Sequence, residues 1–233
     1  MTITLIIVTA VIGYLIGSIP FGVIISKRFA KTDLLQVGSG KTGTTNVLRA
    51  AGKKAAALAL ILDIGKGAVS VALAGIIMGN DYALSAGTQP WIAFSKALAA
   101  AAAISGHSWS VFLRFKGGRG VATLMGGLAA LYWPAGAIGG ICVLGLGFRT
   151  KYMSLGSIIG AVTASIMLTA FYILNIEFLN PVPPFEYVVF AMMGAIFIYV
   201  MHRDNILRLF NGTERRIGEK IKTETAAPSP NPK

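Results

Sequence analysis

Long apolar runs, separated by polar or glycine-rich stretches, constrain the fold of this chain more than any other feature. A helix of about 20 residues spans a hydrocarbon layer of about 30 Å. The runs that reach or approach this length are 4–26, 55–78, 91–113, 152–175 and 187–201, with shorter runs at 121–134 and 135–148. Charged residues make up 13% of the chain, whereas about a quarter of the residues of soluble domains are charged. The pattern predicts an all-α polytopic membrane helix bundle of about seven transmembrane helices, five full-length and two short.

The basic residues favour one side of this predicted bundle. None of the 21 Lys and Arg residues falls in the loops 80–90 and 177–186. Fourteen of the 21 lie in three polar segments: a first (27–54), a second (107–120) and a third (202–218). By the positive-inside rule these segments and the C-terminus are cytoplasmic, and the N-terminus is outside. The net charge of +12 therefore reflects membrane topology, and no nucleic-acid partner is expected.

The predicted helices account for most of the chain, which leaves no room for a separate soluble domain. Residues 1–221 are expected to form a single integral membrane domain, and residues 222–233 are expected to form a disordered tail. The two short runs are either two kinked crossings or a re-entrant hairpin. The single Cys142 excludes an internal disulfide. No cofactor and no metal are expected. The oligomeric state is left open, and a monomer is compatible with the sequence.

The first polar segment has the composition of an oxyanion site. Between Gly38 and Arg49 it contains three glycines, several hydroxyl and amide side chains and two cations. Exposed backbone N–H groups beside cations bind phosphate. A nucleotide-binding P-loop is excluded because Leu35 stands where that motif requires glycine. A flexible connector would explain the glycines alone, but two further segments of similar composition follow.

The other polar positions carry chemistry as well. The second segment places three cations among three glycines just before an apolar run, so a helix N-terminus there would add to an anion site. In the third segment, Asn205 follows His202 by three residues, which places both on one helical face. Asp63 and Lys66 share this spacing within the apolar run 55–78, and charges at that depth are costly. We predict an ion pair, either purely structural or also presenting Lys66 to a ligand.

These motifs, in this order, match one known family. The matching stretches are Gly17 to Gly22, Gly38 to Arg49, Gly52 to Lys54, Leu62 to Gly67, Gly106-His107, Phe115 to Thr123, His202 to Arg208 and Gly212 to Gly218. The chain resembles the bacterial acyl-phosphate:glycerol-3-phosphate acyltransferases, the PlsY family. The resemblance implies a seven-helix enzyme of the bacterial inner membrane with its site on the cytoplasmic face. It implies transfer of a fatty acyl group from acyl phosphate to the sn-1 hydroxyl of glycerol 3-phosphate, giving lysophosphatidic acid and phosphate in phospholipid biosynthesis.

The resemblance also implies roles for particular residues. His202, Asn205 and Ser39 are expected to be catalytic, with either His202 or the donor phosphate taking the hydroxyl proton. Structural roles are expected for Asp63, His107 and Glu214. The resemblance and the composition of the segments together predict a set of substrate-binding residues. These are Gly38, Gly40, Gly43, Thr45, Asn46, Arg49, Lys66, Lys116, Gly117, Gly118, Arg119 and Gly120.

The chain departs from the family pattern inside the first segment. Lys41 and Thr44 stand where the family usually has asparagine and alanine. An extra cation beside a phosphate site changes affinity or donor choice, so a divergent substrate stays open.

Two other functions fit part of the pattern. A transporter or channel for a phosphorylated solute would also use basic glycine loops, but the sequence offers no matching set on the outer side. A lipid-binding protein would explain the basic patches but not the glycines.

For the enzyme, acyl phosphate is expected as donor, since the short loops leave no pocket for a nucleotide thioester. The acyl tail needs an apolar slot. The small-residue faces at Gly13 and Gly17, at 97–103, and at Gly156 and Gly160 either form that slot or simply pack helices together.

Overall fold

The computed structural model describes residues 1–80, 87, 89–177 and 180–219, and this part of the chain is mostly helical. The helices are α1 (Thr2–Ser18), α2 (Phe21–Ala30), α3 (Thr44–Met78), α4 (Ile92–Ser108), α5 (Val121–Leu131), α6 (Trp133–Thr150), α7 (Met153–Ile173), α8 (Phe185–Met201) and α9 (Arg203–Phe210). Short 3₁₀ turns occupy Gln89–Trp91 and Val111–Leu113. The described residues form no strand, and Ser110 and Lys116 make an isolated β-bridge. The predicted all-α class is confirmed.

Several of these helices are suited to a bilayer. By length and hydropathy, Thr2–Ala30, Thr44–Met78 and Met153–Ile173 can each cross a membrane, and α8 with α9 forms a further candidate bent by 59°. The apolar α5 is shorter. The number of crossings and the sides of the two termini remain predictions. The predicted tail, 222–233, lies outside the described residues, as does most of the loop 80–90.

Prolines mark two of the helix boundaries. Pro20 separates α1 from α2, because proline lacks the N–H group that an uninterrupted helix would use. This confirms the kink expected near the end of the first apolar run. At the α5–α6 junction Tyr132 has an extended backbone, and Pro134 occupies the first turn of α6, where its missing N–H costs nothing.

The start of α3 differs from the sequence-based expectation. The first polar segment was predicted to remain a loop as far as Lys54, with a helix from about residue 55, but α3 begins at Thr44. Gly52 interrupts α3 with φ 82° and ψ −178°, a conformation that glycine adopts readily. Thr45, Asn46 and Arg49 therefore lie in a short polar helical portion that precedes the apolar span, and not in a flexible loop.

The small-residue faces pack helices together and leave no slot for an acyl chain. A Cβ atom at Gly17 would collide with the backbone of Ala103, and one at Gly13 with Ala99, so α1 lies directly against α4. Gly156 on α7 approaches the backbone of α6 at Val143 in the same way. Any acyl slot therefore lies elsewhere.

Helix α5 occupies the centre of the bundle. It packs against α3, α4, α6 and α8, and its Leu124 and Leu128 are buried with Leu168 and Ile198 in the larger hydrophobic core. The N-terminal end of α5, at Gly120, is thereby fixed beside the bend between α8 and α9. This arrangement brings the second and third polar segments together.

Candidate active site

A cavity of about 630 Å³ lies where the three polar segments meet. Its polar end is lined by all three segments, and apolar side chains of α3, α5 and α6 line the rest. Its volume falls in the usual range for small-molecule sites, about 300–1,000 Å³. The predicted convergence of the segments is confirmed. Among the predicted site residues, the lining includes Ser39, Gly43, Thr45, Asn46, Arg49, Asp63, His107, Arg119, Gly120, His202, Asn205 and Glu214.

Asn46 organises the first polar segment. Its buried side-chain N–H₂ group faces the carbonyl oxygens of Leu34, Val37 and Lys41 at 2.9–3.1 Å. Its Oδ1 accepts a hydrogen bond of 3.1 Å from the backbone N–H of Ser39. The amide predicted to bind substrate is thus largely committed to shaping the loop. Ser39 is held beside the cavity as a result.

The beginning of α3 forms one wall of the polar end. Gly43 is the N-cap residue of α3, and it lines the cavity together with Thr44, Thr45 and Arg49. The first N–H groups of a helix have no partner within the helix, and with the helix dipole they favour an anion. Gly38 and Gly40, predicted to bind substrate, shape the preceding loop but do not line the cavity.

The second segment contributes one cation where the sequence indicated two. Arg119 lines the cavity, and its Nε donates a hydrogen bond of 3.2 Å to the carbonyl of Met201. Lys116 is exposed and lies outside the lining, because its bridge to Ser110 closes this stretch into a turn at the surface. Gly117 and Gly118 also lie outside the lining. A Cβ at Gly118 would collide with the His107 ring, so this glycine is needed for close packing.

A buried ionic group supports the cavity wall. Lys66 Nζ lies 2.9 Å from Asp63 Oδ1, and His107 Nδ1 lies 3.5 Å from the same oxygen. All three residues are almost completely buried. Lys66 Nζ also donates a hydrogen bond of 3.2 Å to the carbonyl of Ile19, at the kink before α2. The predicted pair is present, but Lys66 does not line the cavity, and the geometry favours the structural interpretation over presentation to a ligand.

Glu214 ties the end of the described chain to the site. Its carboxylate accepts hydrogen bonds from Ser154 Oγ (2.9 Å), Asn205 Nδ2 (2.6 Å) and Arg208 Nε (2.9 Å). The segment 211–219, here called the C-terminal strap, is also fixed by the N–H of Ile217, which donates to the carbonyl of Lys151 at 2.8 Å. The strap thus links α9 to α7 and to the α6–α7 connection beside the cavity.

His202 lies at the bend between α8 and α9 and is buried. Its Nδ1 is 2.8 Å from the carbonyl oxygen of Ile198, and since a carbonyl can only accept, Nδ1 carries the proton and Nε2 is the acceptor nitrogen. Burial, reinforced by the nearby charge of Arg119, lowers the pKa of His202 to about 4. Burial, together with Arg208, also lowers the pKa of Arg119 from its usual value. His202 is therefore neutral at neutral pH.

Further residues line the cavity beyond those assigned from the sequence. Arg215 interacts electrostatically with both Arg49 and Arg119. The run of cations after Glu214 was its only signal in the sequence. Lys41 and Thr44 line the cavity too, and their departure from the family pattern is the signal that marks them in the sequence. The unassigned lining residues with polar side chains are Lys41, Thr44, Lys53, Ser154, Ser157, Arg208 and Arg215.

The sequence is similar to one known family over most of its length. The family model described as glycerol-3-phosphate acyltransferase matches residues 7–212. The chain belongs to the glycerol-3-phosphate acyltransferase family. It is 46% identical over 222 residues to "Glycerol-3-phosphate acyltransferase 3" of Dehalococcoides mccartyi, covering 94% of this chain and 99% of that protein. It is 40% identical to the glycerol-3-phosphate acyltransferase of Dinoroseobacter shibae, covering 89% and 91% of the two chains.

Solved structures of the family have the same fold. The crystal structure of PlsY (YgiH), described as an integral membrane glycerol 3-phosphate acyltransferase in its glycerol 3-phosphate form, superposes with a TM-score of 0.75 at 32% identity, covering 91% of this chain and 96% of that one. The lysophosphatidic acid form of PlsY superposes with a TM-score of 0.73 at 31% identity, covering 91% and 94%. These matches confirm the predicted family, an integral membrane acyltransferase. They give no support to the transporter or channel alternative.

Proposed function

We propose that this protein transfers an acyl group from acyl phosphate to the sn-1 hydroxyl of glycerol 3-phosphate, releasing lysophosphatidic acid and inorganic phosphate. We place it in the bacterial inner membrane with the cavity facing the cytoplasm. The observation that carries the proposal is a single cavity with a cationic end formed by three polar segments and an apolar end formed by three helices. The reaction needs both, since two phosphate groups and one acyl tail must meet at one carbonyl carbon.

The charge balance of the cavity suits two phosphates. Asp63 is paired with Lys66, and Glu214 is paired with Arg208. Three other arginines line the cavity, Arg49, Arg119 and Arg215, and none of them forms an ion pair with a carboxylate among the described residues. Arg119 donates a hydrogen bond to the carbonyl of Met201 instead. Guanidinium groups bind phosphate through charge-assisted hydrogen bonds, which are the strong ones. With the N-terminus of α3, these three side chains form the phosphate-binding end of the site.

The acyl transfer itself requires alignment and one proton transfer. The sn-1 hydroxyl oxygen attacks the carbonyl carbon, and the bond from that carbon to the phosphate oxygen breaks. Cations near the departing phosphate stabilise the charge that develops there. Holding both substrates in line removes much of the entropic barrier. Ser39 and Asn205 are proposed to orient the substrates, and Asn46 is proposed to position the loop that carries Ser39.

His202 is proposed to orient the attacking hydroxyl. Its Nε2 is an acceptor, because Nδ1–H donates to Ile198. A group with a pKa of about 4 is a weak base at neutral pH, since an efficient general base has a pKa near the working pH. We therefore assign the proton to the departing phosphate, which leaves as the protonated inorganic ion. His202 supplies a hydrogen bond to the hydroxyl in this scheme.

The test is an assay of the purified protein in detergent with palmitoyl phosphate and glycerol 3-phosphate. Lysophosphatidic acid and phosphate are expected in equal amounts, and phosphate release should fall to background when glycerol 3-phosphate is omitted. Palmitoyl-CoA is not expected to replace palmitoyl phosphate. Absence of lysophosphatidic acid, or comparable rates from the two donors, would contradict the proposal.

A matched pair of arginines tests the cationic end. Arg119→Ala should lower kcat/KM at least about tenfold, because a hydrogen bond to a charged group contributes about 1.5–3 kcal/mol. Arg114 belongs to the same segment but is exposed and lies outside the cavity lining, so Arg114→Ala should stay near wild type. Equal effects at the two positions would show that the cations act only through the overall positive potential.

A further inference from the structure

The apolar end of the cavity is a groove between α3 and α6. Helix α5 packs against both of these helices, and its Met125 lines the groove between them. Leu60 and Ile64 of α3 line one side, and Leu144 and Phe148 of α6 line the other. An acyl tail whose phosphate lies beside Arg119 would enter this groove. Within the part of the chain that the structure describes, this groove and the cationic end belong to one continuous cavity.

Gly140 stands at the deep end of the groove. It lines the cavity on α6 together with Leu144 and Phe148, and residues spaced four apart lie on one helical face. Phe148 is near the C-terminal end of α6, close to the polar end, and Gly140 lies about 12 Å farther along the helix at 1.5 Å per residue. A Cβ atom built at Gly140 meets no other atom within 4 Å. The absent side chain therefore leaves open space facing the groove.

We propose that Gly140 sets the length of acyl chain that this enzyme accepts. The inference rests on the proposed function, since it requires an acyl donor whose tail lies in the groove. With glycine at this position the groove continues past Leu144, so the last methylene groups of a long tail are buried. A larger side chain at residue 140 would occupy that volume and would exclude the end of the tail. Gly140 is thus a specificity-determining residue that makes no contact with the reacting atoms.

The expected effect follows from the value of buried methylene groups. Each buried methylene contributes a factor of about four to binding, which corresponds to about 0.8 kcal/mol. A leucine side chain at position 140 displaces at least two such groups from the end of the tail. The preference for a C16 over a C8 donor should therefore fall at least about tenfold in Gly140→Leu, because the shorter tail ends before it reaches this position.

Helix α6 supplies a matched control. Gly145 lies five residues from Gly140 on the same helix, and a Cβ there also meets no atom within 4 Å. Gly145 is exposed and lies outside the cavity lining. Gly145→Leu therefore makes the same change in helix propensity and side-chain size without filling the groove. Gly140→Ala is a milder variant that keeps the test available if Gly140→Leu does not fold.

The experiment measures kcat/KM for octanoyl phosphate and palmitoyl phosphate, with glycerol 3-phosphate saturating, for wild type and the three variants. The C16:C8 ratio should fall strongly in Gly140→Leu, fall slightly in Gly140→Ala and stay unchanged in Gly145→Leu. Thermal midpoints in detergent establish that each variant is folded. A ratio in the folded Gly140 variants equal to that of wild type, or an equal shift in Gly145→Leu, would overturn the inference while leaving the proposed function intact. A wild-type protein inactive with both donors would overturn the proposed function and the inference with it.

Discussion

Individual polar atoms in the cavity are prepared for a ligand. Thr44 Oγ1, Arg49 Nε and Asn205 Oδ1 are buried and have no hydrogen-bond partner within the described part of the chain. All three residues line the same cavity. An unsatisfied buried polar group costs about 1–3 kcal/mol, and such groups are uncommon in native proteins. We propose that a bound substrate completes their hydrogen bonds.

Thr44 carries one of these three unpartnered atoms. Its hydroxyl should donate a hydrogen bond to a substrate phosphate, so Thr44→Ala should raise KM about tenfold with little change in kcat. The magnitude follows from the roughly 1.5–3 kcal/mol of a hydrogen bond to a charged group. Thr44→Ser retains the hydroxyl and should restore most of the affinity. Steady-state kinetics with each substrate varied in turn would show which phosphate is bound, and an unchanged KM for both would remove Thr44 from the site.

The lowered pKa of His202 makes folding stability depend on pH. Its pKa in the folded protein is about 4, whereas the ordinary value is 6.5. Between these two values the unfolded chain binds a proton at this position and the folded protein does not, so folding stability falls as the pH falls. The loss should be about 2 kcal/mol between pH 7 and pH 5. As the pH rises above 6.5, His202 becomes neutral in the unfolded chain as well, and this loss of folding stability disappears.

The variant His202→Gln separates this effect from the titration of carboxylates, because glutamine cannot be protonated in this range. Thermal midpoints in detergent at pH 7 and pH 5 should drop more for wild type than for His202→Gln. Parallel drops in the two proteins would mean that His202 titrates normally in the folded state.

Among the structural elements, the C-terminal strap connects two helices beside the cavity. Glu214 joins the strap to α7 through Ser154 and to α9 through Asn205 and Arg208. Its side chain is only 6% exposed, whereas that of its partner Arg208 is 29% exposed. Removing one partner of a buried charged pair is costly, because the remaining groups lose their hydrogen bonds. The strap therefore sets the orientation of Asn205 beside the cavity.

Glu214→Ala should lower both stability and substrate affinity. The expected loss of folding free energy is about 2 kcal/mol or more, since three hydrogen bonds to a charged group disappear, and KM should rise because Asn205 is no longer held. Glu219 is the control: it is exposed in the same strap, and its carboxylate accepts only a local hydrogen bond from the N–H of Arg216. Thermal midpoints and KM values for the two alanine variants would show equal, small changes if the strap were not part of the site.

The elements also show how far the sequence could be interpreted. Apolar runs and motif order predicted the helical class, the family and the meeting of three polar segments, because these depend on composition and spacing. The predicted start of α3 was wrong, because the glycines and cations at 38–54 have the composition of a loop. In the structure, a short polar helical portion precedes the apolar span, and Gly52 allows the change of direction between the two. Lys116 and Lys41 lie in similar stretches, but their tertiary contacts differ. The turn at Ser110 keeps Lys116 outside the cavity, whereas the bond from Asn46 to the carbonyl of Lys41 holds Lys41 in the lining.

At the scale of the whole molecule, the bundle is asymmetric in charge and in chemistry. Every cation of the cavity belongs to one of the three polar segments, and the connection after α7 carries Glu177 with no basic residue at 177–186. Because soluble glycerol 3-phosphate must reach the cationic end, the side of the membrane that this end faces decides which pool of substrate is used. By the positive-inside rule we propose that it faces the cytoplasm.

Cysteine labelling tests this orientation directly. In a Cys142→Ser background, which removes the native thiol, Lys116→Cys and Glu177→Cys each place one thiol at an exposed position. A membrane-impermeant maleimide added to intact spheroplasts should label the cysteine at 177 and should label the cysteine at 116 only after lysis. The two positions control for each other, because both are exposed and only their predicted side differs. Labelling of position 116 in intact spheroplasts would invert the topology, and the cationic end of the cavity would then open to the outside, where an enzyme that uses cytoplasmic glycerol 3-phosphate could not work.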